Sequence, residues 1–250
     1  MCSVLQIGIK NYHKYKNAID KDYEDYLEIK ELFEEGREMY GYRRIKRAFA
    51  IKYGRLVNHK KILRIMNKYN IKVRYKDVFK INYMKRSIEQ NVKPNLLKRD
   101  FSAAKENEKW STDITYIIHN RKRAYLSSIM DLYTNNIIAS KISYRMDNKL
   151  VMDTLNETLS KQKDATGVIL HSDQGFQYTS YEYRQVCESK GINISMSSKA
   201  TPADNAPIES FHANLKRETL YSYNITSLKE YIELVKDWIL FYNTDRIRLS

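Results

Sequence analysis

Apolar side chains recur every three to four positions through the first third of the chain. Within residues 23–38, Tyr26, Ile29, Leu32 and Phe33 mark one face of a helix whose outer face is acidic. Tyr42, Ile45, Phe49 and Tyr53 repeat the period over 40–54, and Gly54 is placed to end that helix. Asn58 is a suitable N-cap for a third helix, with Ile62, Ile65, Met66 and Tyr69 turned inward. Three short helices with a tight turn before the last predict a helix-turn-helix arrangement over 1–75. Residues 76–104 lack a clean period and contain Pro94, so they read as a linker.

From Trp110 the pattern changes. Residues 110–118, 123–133 and 136–144 are three successive strand-like runs rich in Ile, Tyr, Thr and Ser, joined by short turns. A helical period covers 148–162, through Leu150, Val151, Leu155 and Leu159. Further along, 167–170 and 192–196 read as short buried strands, and 180–190, 204–219 and 227–245 as helices. Three hairpin-linked strands followed by alternating helices and strands predict an α/β domain over 105–250, built on a mixed five-stranded sheet with flanking helices. That order matches the ribonuclease H-like fold, here preceded by an all-α unit.

Charge separates the two parts. Residues 37–100 hold 20 Lys and Arg against 4 Asp and Glu, whereas 101–250 hold 19 against 18. So lopsided a block repels itself unless a polyanion neutralises it, which points to nucleic acid. Arg43 and Arg44 on the second helix, and Lys60, Lys61 and Arg64 on the third, are the candidate contacts, with His59 and Lys68 beside them. Two cysteines, Cys2 and Cys187, cannot build a disulfide framework or a cysteine zinc site and fit a reducing compartment. No apolar run approaches the length of a membrane span, and the first residues lack a cleavable apolar core. The expectation is a cytoplasmic, nucleoid-associated protein.

Candidate chemistry lies in three carboxylates. Asp113 stands inside the first strand, on the face opposite Ile114, Tyr116 and Ile118, where a carboxylate is costly unless paired or bound to a metal. Asp173 follows the fourth strand within HSDQG, at a strand end where α/β sheets collect ligands. An aspartate that merely caps the turn before Gly175 explains that position as well. Glu209 lies on a helix that Asp204 or Asn205 can cap and that carries Pro207 in its first turn. Ile208, Phe211 and Leu215 form its core stripe, while Glu209, His212 or Ala213, and Lys216 form a second stripe, so Glu209 and Lys216 point the same way about two turns apart. Standing alone, Glu209 is an ordinary solvated helix residue; the other two carboxylates give it weight. His171 reads as a capped histidine at a strand end, and Asn205 as a hydrogen-bonding group near the site.

The blocks WSTDITYI, HSDQGFQYTS, SMSSKATPADNAPIESFHANLKRETL and WILFYNTDR resemble the core of OrfB-type transposases of the insertion-sequence-3 family, relatives of retroviral integrases. That family's pattern is two aspartates, a 35-residue gap, a glutamate, and Lys or Arg seven residues later, met here by Asp113, Asp173, Glu209 and Lys216. MYGYRRI followed by VNHKKILRIM is similar to the helix-turn-helix ahead of the core. The chain departs from many relatives at Ser198-Lys199-Ala200 and at His212, where Phe is frequent.

The resemblance implies a DDE transposase with an integrase catalytic core. Its three carboxylates would hold two Mg²⁺, or Mn²⁺, for DNA end cleavage and strand transfer, with Lys216 against DNA near the scissile phosphate. It also implies double-stranded DNA as partner, a homo-oligomer on that DNA, and an OrfA partner or frameshift fusion. Relatives continue past the final helix, so a C-terminally truncated copy acting only as a DNA-binding protein is the alternative. A ribonuclease or resolvase of the same fold is the nearest enzymatic rival, and the 35-residue gap together with Lys216 favours the transposase.

Overall fold

The computed structural model describes residues 20–73 and 92–248, apart from Lys163, Ala200 and Tyr221. The expectations for residues 1–19 and for most of the linker lie outside these. The chain divides into two compact units, the described residues 20–73 with 247–248, and 92–246.

The first unit holds helices α1 (Tyr23–Glu35), α2 (Tyr42–Tyr53) and α3 (His59–Lys68). Ile29, Leu32, Phe33, Ile45, Phe49, Ile62, Ile65 and Met66 close its interior, all buried. The Asn58 side chain accepts the Lys60 N–H at 2.9 Å and starts α3. Gly54, at φ 62°, ends α2 in a left-handed conformation that costs other residues strain. Helix α1 stops three residues before the sequence pattern suggests. At Gly36 a Cβ would lie 2.3 Å from the Tyr40 ring, so the buried tyrosine occupies the space a side chain would need. The chain then turns through Arg37 and Glu38, both at positive φ.

The second unit is an α/β domain with strands β1 (Lys109–His119), β2 (Lys122–Asp131), β3 (Ile137–Ser143), β4 (Ile169–Ser172) and β5 (Asn193–Met196). Its helices are α4 (Asn148–Lys161), α5 (Tyr181–Ser189), α6 (Ala206–Glu218) and α7 (Leu228–Thr244). The sheet order is β3-β2-β1-β4-β5. The first three strands pair antiparallel, while β4 runs parallel to β1 and β5 parallel to β4. This is the mixed five-stranded integrase-core arrangement expected from the element order. Trp110, Val151, Met152, Leu155, Leu170, Tyr183, Cys187 and Ile194 pack into one core cluster.

Two local differences from the sequence pattern have physical causes. The fourth strand starts two residues later than 167, because Gly167 adopts φ +82°, and it runs on through the buried His171 and Ser172. The helix expected over 204–219 begins as a 3₁₀ turn, Pro202–Asn205, before α6. Neither Asp204 nor Asn205 caps it. The Asn205 amide is spent on β1, and Asp204 accepts from Arg99 Nε at 2.8 Å, Asn95 Nδ2 at 3.1 Å and the Ser198 N–H at 3.0 Å. Those bonds, with the Leu96 N–H donated to Ser195 Oγ and Leu97 buried, tie residues 95–99 to the sheet's edge.

A buried ion pair joins the ends of α6 and α7. Arg246 donates from Nε and Nη2 to the two Glu218 oxygens at 2.9 and 2.8 Å, and Trp238 Nε1 donates to Oε2 at 3.1 Å. The guanidinium also lies over the Trp238 and Tyr242 rings. Both charged side chains are almost wholly excluded from solvent, at 3% and 1% exposure. Removing one partner strands a buried charge. Glu218→Ala should therefore cost about 3–5 kcal/mol of stability in chemical denaturation, whereas an exposed glutamate such as Glu233, replaced in parallel, should change it by less than about 1 kcal/mol.

Candidate active site

Asp113 lies within β1 and Asp173 just beyond the end of its parallel neighbour β4. Ser111 of β1 stands opposite His171 of β4 in the parallel register. Asp113 lies two residues past that rung within β1, on the same side as Ser111, and Asp173 two residues past it in the turn after β4. Asp113 is half-buried within β1, and its Oδ1 accepts the Ile114 N–H at 2.8 Å. Asp173, just beyond β4, accepts the Gly175 N–H at 2.8 Å. It is therefore also the turn-capping aspartate that the Asp-Gln-Gly sequence allows.

Gly175 has a second reason to be glycine. A Cβ there would stand 2.9 Å from Asp173 Oδ1 and 3.4 Å from the Tyr178 ring. Tyr178 is buried, with its hydroxyl 3.4 Å from Thr112 Oγ1. Burial raises its phenol well above the usual range, and the charges of Asp113 and Asp173 raise it further. Both aspartates thus stand within electrostatic reach of one neutral phenol.

The glutamate arrives on α6, whose position against β1 is set by one amide. Asn205 accepts from Ser111 Oγ at 2.5 Å and donates to the Thr112 carbonyl at 3.1 Å, all three groups being buried. Two turns along, His212 Nδ1 stands 3.5 Å from Asp113 Oδ2. Glu209 and Lys216 lie three residues before and four after His212, on the same helical stripe. Burial lowers the Lys216 pKa, and the Asp113 charge partly restores it, so the amine shares the aspartate's surroundings. His212 is 4% exposed, and neither of its ring nitrogens has a hydrogen-bond partner. Among the described residues no three His, Cys, Asp or Glu side chains are gathered closely enough to hold one metal ion.

The helical period places His212 on the Glu209 stripe without giving it a role, and the sequence pattern does not single out Tyr178 at all. The phenol of Tyr178 gives no such signal, because its neighbours come from other strands. His171 is fully buried, with Nδ1 2.8 Å from Ser195 Oγ, and burial lowers its pKa. Asp131, another buried carboxylate, accepts the N–H groups of Asn107, Tyr133 and Thr134, so it serves a turn. Cys187 is a core thiol pushed up to about 12 by burial.

The candidate DNA contacts of the first unit fall into different surroundings. Arg43 and Lys60 are exposed. Arg44 is half-buried and turned back towards the Met39 carbonyl and the Tyr40 ring. Lys61 pairs with Asp25 at 2.6 Å, and Arg64 binds Asp22 through both oxygens at 2.7 and 2.8 Å.

The sheet order β3-β2-β1-β4-β5 with its flanking helices is that of an integrase-type core. Comparison with known proteins agrees. Residues 103–202 and 190–248 match the integrase core domain family, and residues 20–78 match the HTH-like domain family. InsK, named as a putative transposase of insertion element IS150 in Escherichia coli K12, is 35% identical over 249 residues, covering 98% of this chain and 87% of that protein. A 31 kDa protein of insertion element IS600 in Shigella sonnei is 32% identical, over 98% of this chain and 92% of its own length. Among solved structures, the catalytic core domain of HTLV-2 integrase in complex with magnesium shares 14% identity at a TM-score of 0.47, covering 59% of this chain and 92% of that one. The chain belongs to the insertion-sequence-3 family of transposases, DDE-type polynucleotidyl transferases with an HTH-like domain ahead of the core.

Gly175 supplies a test of the site that leaves every carboxylate in place. Gly175→Ala should fold with a near-native melting temperature yet lose on the order of 100-fold in DNA joining, because misplacing a reacting group by about 1 Å costs that much. Wild-type joining by a folded Gly175→Ala protein would show that Asp173 need not hold its present position.

Proposed function

We propose that Asp113, Asp173 and Glu209 are the carboxylates with which this transposase cuts the ends of its element and joins them to target DNA. The observation that carries this reading is the placement of Asp113 and Asp173 past one rung of parallel strands, with α6 laid against β1 through Asn205 and His212. Hard carboxylate oxygens suit Mg²⁺ or Mn²⁺, so the donor set fits the divalent cations this class uses. The aspartates are the preformed part of the site, and Glu209 completes it from the adjacent helix. When bound, two divalent ions would activate an attacking oxygen and stabilise the leaving one.

The chain's own groups do the rest. Asp113 and Asp173 supply negative charge at a fixed edge of a rigid sheet, so no reorganisation is needed when the phosphodiester arrives. Water is the nucleophile for cleavage and a DNA 3′-hydroxyl for joining. In each case one P–O bond forms as another breaks. No protein–DNA covalent bond is made, so no serine or tyrosine nucleophile is required. Lys216 meets a DNA phosphate near the reacting one, its amine held close by Asp113. The basic first unit grips duplex DNA, and a homo-oligomer with an OrfA partner or fusion brings two element ends together.

A set of variants tests these roles. Asp113→Asn, Asp173→Asn and Glu209→Gln each keep shape and remove a ligand charge. Joining of end oligonucleotides in Mg²⁺ should fall by at least about 100-fold for each, with duplex binding retained. Lys216→Ala should weaken engagement of ends more than chemistry on pre-bound ends. Wild-type joining by Glu209→Gln would remove that residue from the metal site. A wild-type protein that binds duplex and never joins it, even with OrfA, would favour the reading as a DNA-binding protein only.

A further inference from the structure

The cations of the first unit are not equivalent, and the difference bears on where DNA sits. Along α3, Lys61, Arg64 and Lys68 recur at three and four residues and form one stripe. Each faces a carboxylate from the start of the unit. Lys61 meets Asp25 at 2.6 Å, Arg64 meets Asp22 at 2.7 Å, and Lys68 meets Asp20 at 2.5 Å and Asp22 at 2.9 Å. Asp20 also accepts from the Tyr69 hydroxyl. Three cations against three carboxylates leave that flank with no net charge. Asp22 and Asp25 are 14% and 19% exposed beneath partners exposed at 57% and 44%, so they are seated under the cations.

The corner at the starts of α2 and α3 is built differently. The Tyr42 and His59 rings lie 6.1 Å apart and bring the starts of α2 and α3 together. Arg43 and Lys60 are the next residues on, with Lys46 one turn further along α2. All three are exposed, and among the described residues none has an acidic partner. Neither helix carries an acidic residue in its first turn, so the partial positive charge of both helix starts adds to the three cations.

We propose that this unit meets duplex DNA through the corner of Arg43, Lys46 and Lys60, and that Lys61, Arg64 and Lys68 serve α1 and take no phosphate. The inference rests on the reading above that the first unit grips DNA, and it narrows that grip to one face. Exposed ion pairs are individually weak, so the pairing alone would not hold a phosphate off. The carboxylates do that: a phosphate reaching Arg64 would stand beside Asp22, charge against like charge. Protonation offers no escape, since Arg64 and then Lys68 hold the Asp22 carboxyl well below the usual range.

Salt dependence of duplex binding by the full chain tests this, because each phosphate that a variant no longer neutralises lowers the slope of log K against log salt by about 0.9. Arg43→Ala, Lys46→Ala and Lys60→Ala should each lower it by about that amount. Arg64→Met and Lys61→Met remove the same charge and should leave the slope at the wild-type value. Asp22→Asn unseats the screen and should tighten binding and steepen the slope. Circular dichroism and melting of each variant confirm that the unit stays folded. A fall in slope for Arg64→Met equal to that for Lys60→Ala would overturn the choice of face while leaving DNA binding by this unit intact. Wild-type slopes in every variant would overturn both the face and the assignment of DNA binding to this unit.

Discussion

The placement of the third carboxylate depends on one side-chain amide. Asn205 accepts from Ser111 and donates to the Thr112 carbonyl, so the chain leaving β5 is fastened to β1 just before α6 begins. Helix α6 is thereby held against the strand, with His212 3.5 Å from Asp113 and Lys216 within reach of its charge. Buried polar groups are costly when unpaired, so an amide with both ends satisfied admits few alternatives. The Glu218–Arg246–Trp238 cluster holds the other end of the same helix. A helix pinned at both ends on a rigid sheet is the form a site needs when chemistry depends on placement rather than on a reactive side chain.

Electrostatics divides the labour within the chain. In the second unit, Asp113 and Asp173 both act on the buried Tyr178 phenol. In the first unit, three carboxylates pair with three cations along a flank. The same residue type is thus proposed as ligand in one place and as screen in the other, according to its surroundings. Asp131 shows the third outcome: bound by three backbone N–H groups, it is consumed by a turn.

Much of the architecture was legible in the sequence because period and turn chemistry are local. The strands fell within two residues of their observed bounds, and Asn58 and Gly54 punctuated α2 and α3 as their chemistry allows. What escaped was set by groups distant in sequence. The 3₁₀ entry to α6 follows from Asn205 choosing β1, more than ninety residues earlier, over its own helix. The early end of α1 follows from the Tyr40 ring under Gly36. Arg64 and Lys61 looked like open cations because their aspartates lie about forty residues away. Strand position picked out Asp113 and Asp173, whereas Glu209 had weight only beside them and in the family's 35-residue spacing. Nothing local says that β4 inserts beside β1 rather than beside β3, and that insertion is what sets Asp173 next to Asp113.

The insertion of β4 explains why the site's residues are so scattered in the chain. A parallel neighbour for β1 requires a crossover, and here the crossover is α4 and the turn that follows it. The crossover delivers Asp173 to the same end of the sheet as Asp113 because parallel strands share their carboxyl ends, whereas an antiparallel neighbour would have sent it to the opposite end. The return through α5 and β5 then brings the chain back to the β4 edge, close enough for Asn205 to reach β1. Asp113, Asp173 and Glu209 thus come from different supersecondary units, and no one segment can assemble the proposed site alone. The constellation exists only when the whole sheet is formed. For a protein that cuts DNA, that ties the chemistry to the folded state.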